Sequence, residues 1–463
     1  MLKSQMLVLL LLSLPPGLAA SPRPALPVVQ DPFVPGRIIN PVTCKADASQ
    51  SYALYIPLKG NRMAMPIVYF FDPHGDGSLP LKKYRLLAEA YGFIMAGSNN
   101  SRNGNDWAVT ENSWRRLFED TKNRLKVDPR RIYTCGFSGG AKVAGFIAMQ
   151  HPGIKGVIAN GAGLPDGTPA GDLHFSFTAL AGEGDMNLTE LVFFNDDLDR
   201  TRTRHCLIVF DGKHEWAPEG TMKTAFAGWQ LDAMREGLLP KDPVFIRDYG
   251  AKSKARLAGH YKAGQLIKAR QECQVSANFL EGLTDEASWF RQQAAGFPNN
   301  KRYQQQREEQ DALLLRERQI KDDYMQHFRQ GDESYWGGTI RDLRVGAASN
   351  KPERPMFQRL LAYLSLAFYS FSNRLIVAND NSQARHFVEL YKLADPTNSE
   401  AWYFSAILHA REGQGAATEK DLYRAVENGF RDRDRLLRQG EFRNLPAPIH
   451  FAEIEAKIRA QER

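Results

Sequence analysis

The sequence predicts a two-part molecule: an α/β region with a mostly parallel sheet wrapped in helices, then an all-α helical region. Three observations carry this. From residue 40 to 250, short runs rich in Val, Ile, Phe and Tyr alternate with helical stretches and Gly-rich turns. Several of these runs are apolar along most of their length, as strands covered on both faces should be. From 251 to 463 the strand-like runs stop and helical patterning alone remains.

Taken in order, strands are expected at 51–58, 66–72, 92–98, 131–137, 156–163, 175–182 and 205–211. Helices fall between them at 81–91, 111–125, 140–150 and 221–236. The helix at 111–125 stops short of Asp128-Pro129, because proline lacks the amide donor and disfavours helical geometry before it. Strands separated by helices need crossover connections, which makes the sheet parallel. Beyond 251, helices are expected at 252–283, 301–329, 353–373, 381–394, 399–413 and 417–429. The 301–329 stretch mixes cations and anions evenly, the pattern of a solvated helix face.

A repeat lies at 365–432. Shifting by 34 residues superposes Phe368 on Trp402, Ser372 on Ala406, Ala384 on Thr418, Val388 on Leu422 and Tyr391 on Ala425. The alternation of large and small positions resembles the tetratricopeptide repeat, whose paired helices interlock. Two units fall short of the three or so that stand alone, so preceding helices are expected to complete the stack.

Length and composition set the outer bounds. At 463 residues the chain is long enough for several domains of the usual ~100–200 residues. Its 43% hydrophobic and 24% charged residues exclude wholesale disorder. Lys and Arg number 60 against 53 Asp and Glu, and the resulting +7 comes from interspersed charges, so a dedicated nucleic-acid binder is not expected. The start of the chain reads as a signal peptide over 1–20: Lys3, a nine-residue h-region from Met6 to Leu14, then Gly17-Leu18-Ala19-Ala20. That run is too short to cross a ~30 Å hydrocarbon layer, so no transmembrane segment is expected. The expected location is secreted or periplasmic, with the mature chain starting near Ser21. Four cysteines, Cys44, Cys135, Cys206 and Cys273, do not make a disulfide framework. Cys135 and Cys206 sit inside apolar runs and read as buried thiols, and one bridge among the four stays open.

The chemistry concentrates at Gly136-Phe137-Ser138-Gly139-Gly140, between an apolar strand and a helix-forming stretch. A serine hydroxyl is a weak nucleophile, and a tight strand-to-helix turn exposes it. Small neighbours permit that turn, and the Gly139 amide can then face a developing oxyanion. A nucleophile needs a base, and among the 10 histidines His214 follows the last strand, in Gly212-Lys213-His214-Glu215-Trp216. An acid is expected after the preceding strand, in Gly182-Glu183-Gly184-Asp185, and Asp185 is assigned over Glu183. A second oxyanion donor is expected in His74-Gly75-Asp76-Gly77, from the amide of Asp76 or Gly75. Asn99 and Arg102, in the Asn/Ser-rich turn after the 92–98 strand, are candidate substrate-binding residues, and Trp216 a candidate wall of the pocket. No metal or organic cofactor is implied, since no ligand spacing appears.

On these residues the stretch 45–248 resembles the α/β-hydrolase superfamily, nearest its exported esterases of the polyhydroxybutyrate-depolymerase and feruloyl-esterase type. The resemblance implies a serine hydrolase acting on carboxylic esters, with Ser138, His214 and Asp185 as its triad. The expected substrate is an ester-containing small molecule or polymer. The long helical half departs from those esterases, and is expected to leave the chemistry alone and to govern which substrate or protein partner arrives. Two alternatives stand beside this reading. One is a serine peptidase of the same fold. The other is a non-catalytic interaction protein that works through its helical repeats.

Overall fold

The computed structural model describes residues 33–58, 64–330, 333–445 and 449–461, so the leader read at 1–20 lies outside the described residues. Eight strands form one sheet: β1 (Ile38–Cys44), β2 (Asp47–Tyr55), β3 (Met65–Phe71), β4 (Ile94–Ser98), β5 (Val127–Phe137), β6 (Ile154–Asn160), β7 (Ser176–Gly182) and β8 (His205–Phe210). Their order across the sheet is β1-β2-β4-β3-β5-β6-β7-β8. The β1–β2 and β2–β4 pairs are antiparallel, and every later pair is parallel.

Helices cover both faces: α1 (Ser78–Tyr91), α2 (Trp107–Arg124), α3 (Gly139–Gln150), α4 (Leu188–Leu198) and α5 (Glu219–Arg235). β3 shows why its sequence lacks alternation. Ile67, Tyr69 and Phe71 join Trp114 and Leu117 of α2 and Ile147 of α3 in one core. Val68 and Phe70 join Tyr84 of α1 and Trp229 of α5 in the other. With no solvent face, every position of β3 is buried. All four cysteines are buried free thiols. Burial pushes Cys44, Cys206 and Cys273 up to about 12, which keeps them protonated and inert at neutral pH.

The helical half continues from the sheet without a break. α6 (Pro243–Lys262) opens on an Asp242 side-chain cap and runs through residue 250, where the sequence divides the two regions. The single helix expected at 252–283 is two, α6 and α7 (Leu266–Leu280), separated at Gly264, whose φ of +69° a helix cannot accommodate. α7 lies along the open edge of β8. There the Gln271 amide donates to the Leu207 carbonyl at 2.7 Å, and the Asn278 amide donates to that of His205. Side chains thus occupy ladder positions that another strand would otherwise take.

Further helices follow: α8 (Glu286–Gly296), α9 (Lys301–Gln330), α10 (Glu333–Ala347), α11 (Arg354–Val377), α12 (Asn381–Ala394), α13 (Ser399–Arg411) and α14 (Gly415–Glu427), then three short ones at Arg433–Arg438, Gly440–Arg443 and Phe451–Gln461. Of the residues matched by the 34-residue shift, Phe368, Ser372, Ala406, Ala384, Thr418, Val388, Leu422, Tyr391 and Ala425 are all buried. Trp402 is half-buried, with its indole N–H on the Pro396 carbonyl.

Candidate active site

Three parallel strands bring the side chains of Ser138, Asp185 and His214 together at one edge of the sheet. β5 ends at Phe137 and α3 begins at Gly139, so Ser138 alone makes the turn, at φ 53° and ψ −123°. Non-glycine residues rarely adopt that conformation. The packing around it enforces the turn: a Cβ on Gly136 would lie 1.9 Å from the Gly140 carbonyl oxygen, and one on Gly140 would lie 2.0 Å from that of Phe71. The elbow is therefore pressed onto the end of β3, and larger residues at either position would push it away.

His214 reaches the elbow from the loop after β8. Its Nε2 is 2.9 Å from Ser138 Oγ, and its Nδ1 is 3.0 Å from Asp185 Oδ1. A carboxylate only accepts, so in the neutral imidazole the proton sits on Nδ1 and the Nε2 lone pair faces the serine hydroxyl. Asp185 is 1% exposed and His214 18%, so the Asp–His bond is shielded from water while the Ser–His bond stays reachable. Asp185 Oδ1 also accepts the Asn187 amide at 2.8 Å, while Oδ2 is buried and has no hydrogen-bond donor among the described residues. Glu183 points elsewhere: its carboxylate meets Lys268 Nζ at 2.6 Å.

Asn160, at the end of β6, ties the Ser138 turn to the His214 loop, and no motif in the sequence announces it. Its backbone carbonyl accepts the Ser138 amide at 2.8 Å. Its side chain, fully buried, donates to the Glu215 carbonyl at 2.8 Å and accepts from the Ala217 amide at 3.0 Å. One residue thus fixes both the elbow and the loop that carries His214. Phe137 packs against the imidazole with ring centroids 4.7 Å apart.

The remaining sequence assignments divide. The Gly139 amide, at the start of α3, has no partner among the described residues, because the first amides of a helix have no carbonyl within the helix to reach. The Asp76 amide is likewise without one, and the Asp76 carboxylate holds the turn by accepting from the Ser78 amide and hydroxyl. Gly75 is not available as a donor, because its amide already donates to the Asp72 carbonyl at 3.1 Å. Asn99, expected to meet substrate, spends its side chain within the protein: its oxygen accepts the Gly77 amide, and its NH2 donates to Asn40 and Ser51, pinning β1 and β2 to the loop. Arg102 is exposed, with its Cβ beside Gly75. The next residue, Asn103, is the one at the elbow: a Cβ on Gly139 would lie 1.9 Å from its side-chain oxygen.

Trp216 is core and does not wall a pocket. It is 6% exposed, packs tilted against Phe70 and Phe137 and edge-on against Tyr84, and donates its indole N–H to Asp72 Oδ2 at 3.0 Å. Asp72 also accepts the His74 amide. Burial works to raise the Asp72 carboxyl, yet the hydrogen bonds from His74 and Trp216 outweigh it and hold the group below the usual carboxylate range. A cavity of about 1170 Å³ lies behind the acid loop, between β8 with α4 and α7, α9 and α11; Glu183 lines it, but Ser138 and His214 do not.

The sheet order, the serine elbow after β5 and the histidine after β8 define an α/β-hydrolase fold with a helical second half. Solved structures resemble part of it. An S-formylglutathione hydrolase from Agrobacterium tumefaciens is 16% identical, with a TM-score of 0.30, over 38% of this chain and 86% of its own. Est1E from Butyrivibrio proteoclasticus is 14% identical, with a TM-score of 0.33, over 42% and 98%. An acylaminoacyl peptidase from Pyrococcus horikoshii is 11% identical, with a TM-score of 0.31, over 43% of this chain and 41% of its own. No protein-family model matches the sequence, and no curated protein matches it.

Proposed function

We propose that the protein is an exported serine hydrolase that cleaves carboxylic esters through an acyl-enzyme. The observation that carries this is the unbroken Ser138–His214–Asp185 relay, at 2.9 and 3.0 Å, on a strained elbow. In this reading Ser138 Oγ attacks the ester carbonyl carbon while His214 Nε2 takes the hydroxyl proton. Asp185 accepts the Nδ1–H and stabilises the imidazolium. The amides of Gly139 and Asp76 face the oxyanion. The imidazolium returns its proton to the departing alkoxide, leaving Ser138 acylated. Water, deprotonated by the same imidazole, then releases the acid and restores the serine. Export rests on the leader at 1–20, and the helical half is read as a protein-contacting module of tetratricopeptide-like pairs.

The test is a fluorophosphonate probe with peptide mapping, followed by a panel of p-nitrophenyl esters and matched anilides. Labelling of Ser138 that vanishes in Ser138→Ala, with ester turnover well above anilide turnover, is the expected result. Labelling that survives in Ser138→Ala removes the serine mechanism, and anilides turned over faster than esters make the enzyme a peptidase.

A further inference from the structure

The loop that carries Asp185 is gripped from outside its own region. Glu317 on α9 is fully buried and pairs with Arg359 of α11, whose Nε and Nη2 both lie 2.7 Å from Glu317 Oε2. Lys321, one turn along α9, sits 2.6 Å from Glu317 Oε1. Each cation then spends a further donor on the acid loop: Arg359 Nη1 donates to the Glu183 carbonyl at 2.8 Å, and Lys321 Nζ to the Met186 carbonyl at 2.7 Å. These two carbonyls bracket Asp185. α7 adds a third hold, through Lys268 on the Glu183 carboxylate.

Such a cluster is an expensive way to stabilise a helical domain. Removing three charges from water costs several kcal/mol per ion, and apolar residues of similar volume often serve stability equally well. What an apolar cluster cannot do is donate hydrogen bonds to two chosen carbonyls. The Asp185 carboxylate also needs such a hold: one oxygen takes both of its donors, His214 and Asn187, and the other takes none among the described residues. Its position therefore follows the backbone of its loop.

Resting on the hydrolase reading, we propose that Glu317, Lys321 and Arg359 are positioning residues for the reaction, through which the helical half sets Asp185 against His214. The sequence assigns that half no part in the chemistry; these contacts give it one, by way of the acid.

The test is a double-mutant cycle in the full chain, combining the apolar triple replacement Glu317→Leu/Lys321→Met/Arg359→Met with Asp185→Ala. The expected result on a p-nitrophenyl ester is a fall in kcat of about 10²-fold, the cost that a misplacement of about 1 Å can carry, with KM within twofold and the melting temperature retained. In the Asp185→Ala background the triple replacement should change kcat less than twofold, since the residue it acts through is gone. A purely structural cluster would lower both backgrounds alike, and that outcome overturns the proposal. So does an unchanged kcat in the triple variant. If the triple variant does not melt cooperatively, Lys321→Met alone is carried through the same cycle, because it leaves the Glu317–Arg359 pair intact; equal losses in both backgrounds, or none, decide against the proposal. A wild-type chain that neither takes the fluorophosphonate label nor turns over any ester or anilide overturns the hydrolase reading itself.

Discussion

Replacing Asn160 by alanine tests whether one buried amide coordinates the nucleophile and the base. The variant keeps the backbone carbonyl that accepts from Ser138 but loses both side-chain bonds to the His214 loop. It leaves the buried Ala217 amide without its partner, at about 1–3 kcal/mol, and releases the carbonyl of the exposed Glu215, which can turn to water instead. That cost, about 1–3 kcal/mol, corresponds to a fall in melting temperature of roughly 2–12 °C for a region of this size. The imidazole stands one residue before Glu215, so slackening that loop should also lower kcat by about 10²-fold with little change in KM. Thermal melts by circular dichroism and steady-state ester kinetics read the two effects separately. A variant that melts within 2 °C of wild type and keeps kcat within threefold would refute the reasoning, because it would show that the loop holds His214 without Asn160.

Ser138→Gly should abolish labelling and lower kcat by about 10⁴-fold or more, yet melt as high as wild type or slightly higher, because the strained φ is free for glycine; a lower melting point would mean the elbow stores no strain. Asp185→Asn should cost up to about 10⁴-fold in kcat while Glu183→Gln keeps most activity, since the Glu183 carboxylate faces Lys268 and not the imidazole; the reverse ranking in kcat/KM would move the acid. His74 and Asp72 predict a pH dependence of stability. Hydrogen bonding to Asp72 raises the His74 pKa, so its contribution is complete below the ordinary histidine value of ~6.5 and fades as pH rises through the folded value above it. His74→Gln should therefore flatten the decline in melting temperature from pH ~6.5 upwards while matching wild type near pH 9; a decline that persists in the variant places its source elsewhere.

What the sequence made legible, and what it hid, follows the range of the interactions involved. α12 begins and ends where the periodicity puts it, because Asp380 caps its start through the Gln383 amide and the pattern needs no partner. β1 escapes notice: with Asn40, Pro41 and Thr43 it is an edge strand whose pairing is supplied by β2, and its own residues do not alternate. α4 is missed because its apolar residues serve the sheet as well as its own face. The Ser138, Asp185 and His214 assignments came from chain order and strand ends, which topology dictates. Asn160 and Asn103 carry no such signature, since an asparagine at a strand end or in a turn looks alike whether it supports a reacting group or only its own loop. Trp216 and Asn99 were read from their neighbourhood in sequence, and the sheet turns the first into the core and gives the second three structural bonds.

The helix along β8 has a consequence in time as well as in space. A chain made from its N-terminus completes β8 at Phe210, but the side chains that occupy its outer carbonyls, Gln271 and Asn278, come much later. At about 5–20 residues per second, synthesis from Phe210 to Asn278 takes ~3–14 s, during which the last strand offers an unpaired ladder to any neighbour. The interval is long compared with hairpin formation, which takes microseconds. Nascent chains halted between these two points should therefore be the species most prone to pair edge to edge and the ones that most need a chaperone. Slowing translation across that stretch should lower the yield of soluble protein more than slowing it after residue 280.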